Sequence, residues 1–199
     1  MRYTPVVFAL LTLAYSACGT VDRRIDPDDP DPVGGAVLQS QDIRAMADQM
    51  GRSIIAQGVL ASNDPAKPIT FHITELRNDT SDTIDKEIVL TKLRTDLFKA
   101  LGGRVAILDR SQEGLDAVKA ERAAKRAGAV SADPSRTGDV LGSDYVLKGT
   151  IKERRAQASD LKSVYYLVTF ELTDLETTRL VWTDDYETKF ESEKSVITR

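Results

Sequence analysis

The chain has very few residues of the types that metal sites and covalent catalysis use. It contains 199 residues, with one cysteine, Cys18, and one histidine, His72. A single cysteine excludes a disulfide within the chain and a zinc site built from paired cysteines. Any serine–histidine–aspartate machinery would need His72, and the GxSxG pattern of a nucleophile elbow is absent. We therefore predict that the chain is not an enzyme and holds no metal and no cofactor.

The charged residues are numerous and mixed in sign. Lys plus Arg number 27 and Asp plus Glu number 31, which gives a formal net charge of −4. A mildly acidic total argues against a nucleic-acid binder. Acids scattered among bases are typical of a solvated surface, although a glycosidase-type carboxylate pair that meets only in the folded chain stays open at this level. We predict no nucleic-acid partner and no small-molecule substrate.

Residues 1–17 have the layout of a secretory signal peptide. Arg2 precedes an apolar stretch of ten residues from Pro5 to Ala14. That stretch is too short to span a bilayer core, which needs about 20 helical residues. Ser16 and Ala17 are small and end the segment, so we predict cleavage after Ala17.

The position of Cys18 directly after the small pair resembles a bacterial lipoprotein signal, in which the cysteine becomes the acylated N-terminus. Tyr15 stands where such signals usually have leucine. Gly19, rather than an acid, follows the cysteine, and this resembles the enteric pattern for outer-membrane sorting. The resemblance implies palmitate-type acylation of Cys18 and a membrane-anchored protein in the outer membrane that faces the periplasm. The alternative is a plain secreted protein in which Cys18 is a spare thiol.

Composition divides the remaining chain into a tether and one domain. Residues 18–39 are rich in Asp and Pro and contain little to bury, which predicts a disordered linker. Its extended reach is at most about 75 Å. A weak calcium loop in the Asp run is the alternative, but the run lacks the spaced ligands and turn glycine of an EF-hand loop. We place the globular domain at residues 40–192 and a C-terminal tail at 193–199.

Hydrophobic periodicity predicts three helices in the domain. The first covers 41–57 with Ser40 as its N-cap, the second covers 84–101 and ends at Gly102, and the third runs from Ser111 to near Gly128. The second helix should bury one apolar stripe. That stripe comprises Ile84, Ile88, Val89, Leu93, Leu97, Phe98 and Leu101.

Alternating and β-branched segments predict five strands. The first strand lies at 69–74, where His72 falls on the polar side and should be solvated or hydrogen-bonded, and a polar loop follows at 76–83. A short strand covers 105–108. Three segments near the C-terminus form an antiparallel meander: Tyr145–Lys152, Ser163–Leu175 and Leu180–Phe190. The fold class is therefore α/β (α+β), a mixed sheet of about five strands covered by about three helices.

Two features of the meander bear on binding. Trp182 should lie in the core, with an exposed partner anchor as the alternative. The connection 152–162, KERRAQASDLK, carries four basic and two acidic residues, a net charge of +2. A solvated hairpin tip is the plain interpretation. The functional interpretation is a contact to an acidic partner through Arg154, Arg155 and Lys162.

Two stretches resemble the LpoB family of outer-membrane lipoproteins that activate peptidoglycan synthases. The first runs PITFHITELRNDTSDTID and then VLTKLRTDLFKALGGRVAILDR, and the second runs GSDYVLKGTIKE and then VYYLVTFELTDLETTRLVWTDDYETK. The likeness covers about 120 residues, from Ile69 to Lys189. Where the family usually has a glycine in the turn between the last two strands, this chain has Thr178. The fold also resembles the N-terminal domain of TolB and the periplasmic part of the curli secretion lipoprotein.

The resemblance implies a function in binding rather than in chemistry. The domain would bind a bifunctional penicillin-binding protein and raise its peptidoglycan synthesis allosterically, by favouring the active state of the synthase. The alternative is an envelope lipoprotein adaptor of the same fold that serves a secretion or envelope-assembly partner.

Overall fold

The computed structural model of the chain has three helices and five strands within the residues it describes, which are 23–32, 35–62, 64, 67–102, 104–131 and 140–193. Their order is α1 (Ser40–Ala56), β1 (Ile69–Asp79), α2 (Lys86–Leu101), β2 (Val105–Leu108), α3 (Gln112–Arg126), β3 (Tyr145–Ala158), β4 (Leu161–Asp174) and β5 (Leu180–Glu193). None of these helices is long and apolar enough to cross a membrane. The predicted signal peptide, including Ala17, and Cys18 lie outside the described residues, as does the predicted tail beyond Glu193.

The strands form one mixed sheet in the order β2-β1-β3-β4-β5. Strand β1 runs parallel to both of its neighbours, β2 and β3, whereas β3, β4 and β5 are antiparallel neighbours. A parallel pair needs a crossover connection, and α2 supplies it between β1 and β2. The predicted mixed five-stranded sheet with three helices is confirmed.

One face of the sheet packs against α1 and α2 and forms the core. Strand β4 alternates strictly and buries its even-numbered residues from Val164 to Leu172, with Tyr166 at 0% exposure. The described helix–sheet contacts join α1 to β5 and α2 to β1 and β2. Helix α3 has no buried residue, so α1 and α2 supply the helical side of the core. We call the opposite side of the sheet the outer face, and no described helix packs on it.

Trp182 lies in the core, as predicted. Its side chain is only 3% exposed, and its indole N–H donates to the Ser53 hydroxyl at 3.2 Å. This hydrogen bond satisfies the indole donor and joins β5 to α1.

The start of α1 differs from the prediction because Gln39, and not Ser40, is the N-cap. The backbone N–H of Gln39 donates to the Asp42 carboxylate at 2.9 Å, which is one half of a capping box. The Ser40 hydroxyl donates to Asp31 at 2.6 Å instead. Asp31, in the acidic segment before the helix, therefore accepts the hydrogen bond from the hydroxyl that was expected to cap α1.

The buried side of α2 is centred on different residues from those that the sequence predicted. Its buried residues are Val89, Leu90, Leu93, Leu97 and Leu101. Ile88 and Phe98 are 55% and 63% exposed. The helix is apolar over an arc wider than the sheet covers, so periodicity alone did not locate the buried side.

Strand β1 continues to Asp79, so the predicted polar loop at 76–83 is wrong over its first half. A bulge between Ile73 and Leu76 shifts the register against β3. The shift reverses the alternation and places Leu76 in the core at 0% exposure. A pattern with period two that breaks at a bulge therefore looks like the end of a strand.

The segment 152–162 is strand rather than connection. Strands β3 and β4 continue to Ala158 and Leu161, and the turn consists of Ser159 and Asp160 alone, with Ser159 at φ +52°. Both sides of this end of the hairpin are exposed from Arg154 to Lys162. Both sides of this end carry mostly polar side chains. The sequence therefore shows no alternation of apolar and polar residues there, and the strand was not predicted.

The GSDY segment connects three parts of the sheet through Asp144. Its carboxylate accepts hydrogen bonds from the Thr70 backbone N–H at 2.8 Å and the Thr70 hydroxyl at 3.0 Å. Its backbone N–H donates to the Thr70 carbonyl at 2.9 Å, and its carbonyl accepts from the Leu175 N–H at 2.9 Å. Asp144 thus positions β1, β3 and the β4–β5 turn relative to one another.

The β4–β5 turn depends on Asp174 and places Thr178 in a left-handed conformation. The Asp174 carboxylate accepts from the backbone N–H groups of Glu176 at 2.9 Å and Thr177 at 2.7 Å. These hydrogen bonds confirm the predicted tight connection. Thr178 has φ +59°, a region that β-branched residues rarely adopt. The position where the resembled family usually has glycine is thus one where glycine relieves strain.

Thr178→Gly is therefore expected to stabilise the domain by about 1 kcal/mol, because it removes the left-handed strain of a β-branched residue. Urea unfolding of the two proteins measures the difference. Thr177→Gly is the matched control, since Thr177 does not have a positive φ, and it should leave stability unchanged or lower it. Equal stability of Thr178→Gly and the unchanged chain would contradict the account of the turn.

Candidate partner-binding surface

The outer face of the sheet brings together side chains from β3, β4 and β5. In an antiparallel sheet, residues directly opposite each other point to the same side. Arg154 lies opposite Tyr165, and Tyr165 lies opposite Lys189. One step along the strands, Lys152 lies opposite Leu167, and Leu167 lies opposite Glu187 of β5. Glu187 is the acidic neighbour of the three basic and two apolar or aromatic residues. These five residues form the basic row of the outer face.

The basic row presents cations beside a half-buried aromatic ring. In the described part of the chain, Arg154, Lys152 and Lys189 take part in no ion pair. Burial, followed by a hydrogen bond with Glu187, raises the pKa of the Tyr165 phenol. The phenol is therefore neutral at physiological pH. An arginine next to a tyrosine on an open surface is a composition enriched at protein-binding hot spots.

The outer face is not flat at the β1 bulge. A depression there is lined by residues of β1, β3 and β4, among them Thr74, Lys148, Leu167 and Glu171. Lys148 and Glu171 face each other across it at 3.8 Å. A bulge bends its strand, so the same irregularity that buries Leu76 accounts for the concavity.

Arg155 points to the opposite side of the sheet from Arg154 and has partners there. Its guanidinium contacts Glu153 at 2.8 Å and Asp82 at 2.5 Å. The other oxygen of Glu153 accepts from the Ser81 backbone N–H at 2.8 Å. The buried Tyr166 hydroxyl donates to the same Asp82 carboxylate. We call these groups the Arg155 network; it holds the loop before α2 against β3 and β4.

Hydrogen bonds and burial in the Arg155 network determine the protonation states of Glu153 and Tyr166. Hydrogen bonding from Arg155, and then from Ser81, lowers the pKa of Glu153 to about 2 against the opposing effect of burial. Burial and the Asp82 carboxylate raise the pKa of Tyr166. At neutral pH the Glu153 carboxylate therefore stays ionised and the Tyr166 phenol stays protonated, so the network acts as a structural cross-link.

The structure thus separates the three basic residues that the sequence placed together. Arg154 lies on the outer face, whereas Arg155 lies on the side of the core. Lys162 lies opposite Gln157 near the hairpin turn, on the same side of the sheet as Arg155. Sequence analysis missed Lys152 because it treated 152–162 as a connection. It placed Tyr165 and Leu167 in a predicted strand but did not assign them to a face of the sheet. The strict alternation of β4 was the signal that could have found Tyr165 and Leu167.

His72 is hydrogen-bonded, as predicted. Its Nδ1 lies 2.8 Å from the Ser143 hydroxyl. Burial, and then the positive charge of Arg110, lowers the pKa of the imidazole. A neutral imidazole suits this structural contact at neutral pH. Within the described ranges, no group of three or more His, Cys, Asp and Glu side chains could hold a metal ion.

Comparison with known proteins gives a family and similar folds. The model of the family described as peptidoglycan-synthase activator LpoB matches residues 42–188. No curated protein sequence gives a significant match.

Three solved structures are among the similar folds. The LpoB C-terminal domain from Escherichia coli is 14% identical, covers 74% of this chain and 98% of that chain, and has a TM-score of 0.43. The LpoB C-terminal domain from Salmonella enterica is 14% identical, with 73% and 94% covered and a TM-score of 0.38. Lipoprotein GNA1162 from Neisseria meningitidis is 14% identical, with 65% and 88% covered and a TM-score of 0.40.

The Arg155 network predicts a pH-dependent contribution to stability. The folded-state pKa of Glu153 lies below its ordinary value of 4.5, so its contribution is complete above that value and is lost as the pH falls towards 2. Glu153→Gln should therefore be less stable than the unchanged chain at pH 7, and the difference should shrink steadily from pH 5 to pH 2. Urea unfolding across this range measures it.

Glu171→Gln is the matched control for this titration. Its ion pair with Lys148 is longer, at 3.8 Å, and its side chain is 44% exposed, so its removal should change stability little at any pH. A Glu153→Gln difference of constant size between pH 7 and pH 2 would contradict the network's role.

Proposed function

This chain belongs to the LpoB family of peptidoglycan-synthase activators, and we propose that it binds and allosterically activates a bifunctional penicillin-binding protein. The observation that carries the proposal is the family match over residues 42–188, which extends from α1 into β5. Members of this family are regulators rather than enzymes. The chain would act by binding the active state of the synthase more tightly than the inactive state, because only differential affinity shifts such an equilibrium.

We place the synthase contact on the basic row of the outer face. No described helix covers it, and its cations lack partners within the described residues, so a partner can bind them without breaking internal ion pairs. Tyr165 and Leu167 supply half-buried apolar surface between them. The arrangement fits an acidic patch with an apolar centre on the synthase, since opposite potentials speed association and fix orientation.

Of the three basic residues predicted from sequence, Arg154 is the principal contact in this proposal. Lys162, near the hairpin turn, lies on the same side of the sheet as Arg155 and would stand outside the basic row. Arg155 acts indirectly, because Glu153 and Asp82 already hold its guanidinium. Its function would be to keep the hairpin in place.

The proposal includes the anchor that the sequence predicts. Signal cleavage after Ala17 leaves Cys18 as the first residue, and acylation of Cys18 holds the chain in the outer membrane facing the periplasm. The support is the apolar stretch from Pro5 to Ala14 followed by the small pair and the cysteine.

Arg154→Glu is expected to weaken binding to the purified synthase at least tenfold, which corresponds to about 1.4 kcal/mol. The reason is that a hot-spot cation becomes a repelling anion. Titration of the soluble domain against the labelled synthase measures the dissociation constant. Lys99→Glu is the matched charge reversal on α2, in the layer on the other side of the sheet, and should leave binding unchanged.

Equal affinities of the Arg154→Glu and unchanged domains would place the contact elsewhere. Absence of any binding by the unchanged domain would instead favour the adaptor function, with a secretion or envelope-assembly partner.

Cys18→Ser is expected to abolish metabolic labelling with palmitate and to release the protein from the membrane fraction. The reason is that serine supplies no thiol for lipid attachment. Labelling and fractionation of cells that express each form measure both effects. Membrane association that is unchanged in Cys18→Ser would rule out the proposed anchor.

A further inference from the structure

Part of the acidic segment before the domain is attached to the first helix. Asp28 forms an ion pair with Arg44, and the Gln41 side-chain amide donates to the Asp29 carbonyl at 3.1 Å. Asp31 accepts from the Ser40 backbone N–H at 2.8 Å and from the Ser40 hydroxyl at 2.6 Å. We call residues 25–32 and 35–39 the docked segment.

The apolar residues of the docked segment also contact the helical layer. Ile25 and Pro27 line a groove between α1 and α2 together with Ile43, Ile88 and Lys92. Ala36 and Leu38 pack against the core. The segment therefore leaves the domain on the side of the helices, opposite the outer face of the sheet.

Docking leaves a short connection to the proposed lipid anchor. Seven residue steps separate Cys18 from Ile25, and they span at most about 25 Å when extended. Their average span as a coil is about 15 Å. A domain of this size has a radius of gyration of about 15 Å, so its far side lies beyond the average reach of the connection.

We propose that the docked segment orients the domain on the membrane, with α1 and α2 towards the lipid surface and the outer face away from it. The inference rests on the proposed acylation of Cys18. The side so presented carries Ile88 and Phe98, which are 55% and 63% exposed, together with Lys99 and with Lys92, which forms an ion pair with Asp96. Apolar side chains with flanking lysines suit the headgroup region of a bilayer.

The orientation depends on contacts that are individually weak. The Asp28–Arg44 ion pair is solvent-exposed, with side-chain exposures of 77% and 41%, and such pairs contribute about 0–1 kcal/mol. Two substitutions should therefore release the segment without unfolding the domain. Release of residues 25–32 would lengthen the free connection to the 17 steps from Cys18 to Gly35, at most about 60 Å.

Site-specific quenching on vesicles tests this orientation. The chain from Cys18 onward is coupled through its single cysteine to maleimide lipid in phosphatidylethanolamine–phosphatidylglycerol vesicles that contain nitroxide lipid. A fluorophore is clicked to azidophenylalanine at position 98 on α2, or at position 165 on the outer face. We expect at least threefold more quenching at position 98 than at position 165.

The release variant is Asp31→Ala with Arg44→Ala, and it should bring the two quenching values within about a factor of 1.5 of each other. Asp29→Ala with Arg94→Ala is the matched control. It removes the same charges from the same segment and helical layer but breaks no side-chain hydrogen bond or ion pair between the docked segment and the domain among the described residues, so it should preserve the difference. Thermal unfolding checks that each variant folds, and Asp28→Ala repeats the release if the double variant does not.

Equal quenching at the two positions in the unchanged chain would overturn the proposal. So would a difference that persists after release, since the docked segment would then not be its cause. Because the lipid is attached chemically, these results do not depend on whether cells acylate Cys18. Failure of the proposed anchor and failure of the orientation are therefore distinguishable.

Discussion

Among the described residues, helices cover only one face of the sheet, and most other features depend on that asymmetry. Strand β4 shows it most simply. Its residues alternate between fully buried side chains such as Tyr166 and Phe170 and half-exposed ones such as Tyr165 and Leu167. The buried set holds α1 and α2, whereas the half-exposed set forms an outer face that the described helices leave open. One alternating strand thus supplies both the stability of the domain and its candidate binding surface.

Two local devices maintain this arrangement at the ends of the strands. At one end, Asp144 joins β1, β3 and the β4–β5 turn through backbone hydrogen bonds. At the other end, the Arg155 network joins β3 and β4 to the loop before α2. In the centre, Gly149 leaves room for Phe170, whose ring lies 2.6 Å from where a Cβ would stand. The residues of the segments that resemble the LpoB family thus have structural functions, and none of these functions involves catalysis.

The sequence predicted the elements whose hydrophobic pattern follows a single period. It missed the features in which a second effect changes that pattern. The strands of the meander, the helix from Ser111 and the burial of Trp182 followed from alternation, capping and side-chain type. The bulge before Leu76 reversed the alternation, and the wide apolar arc of α2 concealed which side is buried.

The candidate site was predicted only in part for the same reason. Arg154 and Arg155 are adjacent in sequence, and only the continuation of β3 to Ala158 shows that they point to opposite sides. A pattern of charges cannot separate two neighbours unless the strand they belong to is known. Likewise, no sequence pattern indicated that Asp31 would take the Ser40 hydroxyl and attach the acidic segment to α1.

These features combine into one account of an anchored regulator. The helical layer carries the attachment to the tether, and the outer face on the opposite side carries an open row of cations beside an aromatic ring. The attachment would direct this row towards the partner, and release of the docked segment would extend its reach. In this account, the lipid anchor lies on the helical side of the domain and the binding surface lies on the opposite side.

The rate of glycan-chain polymerisation by the purified bifunctional synthase, with and without the soluble domain, tests the central claim most directly. The account predicts that the unchanged domain raises the rate and that saturating amounts of it leave the synthase in a more active state. A rate that stays the same at every domain concentration, with binding independently demonstrated, would contradict activation as the function of this chain.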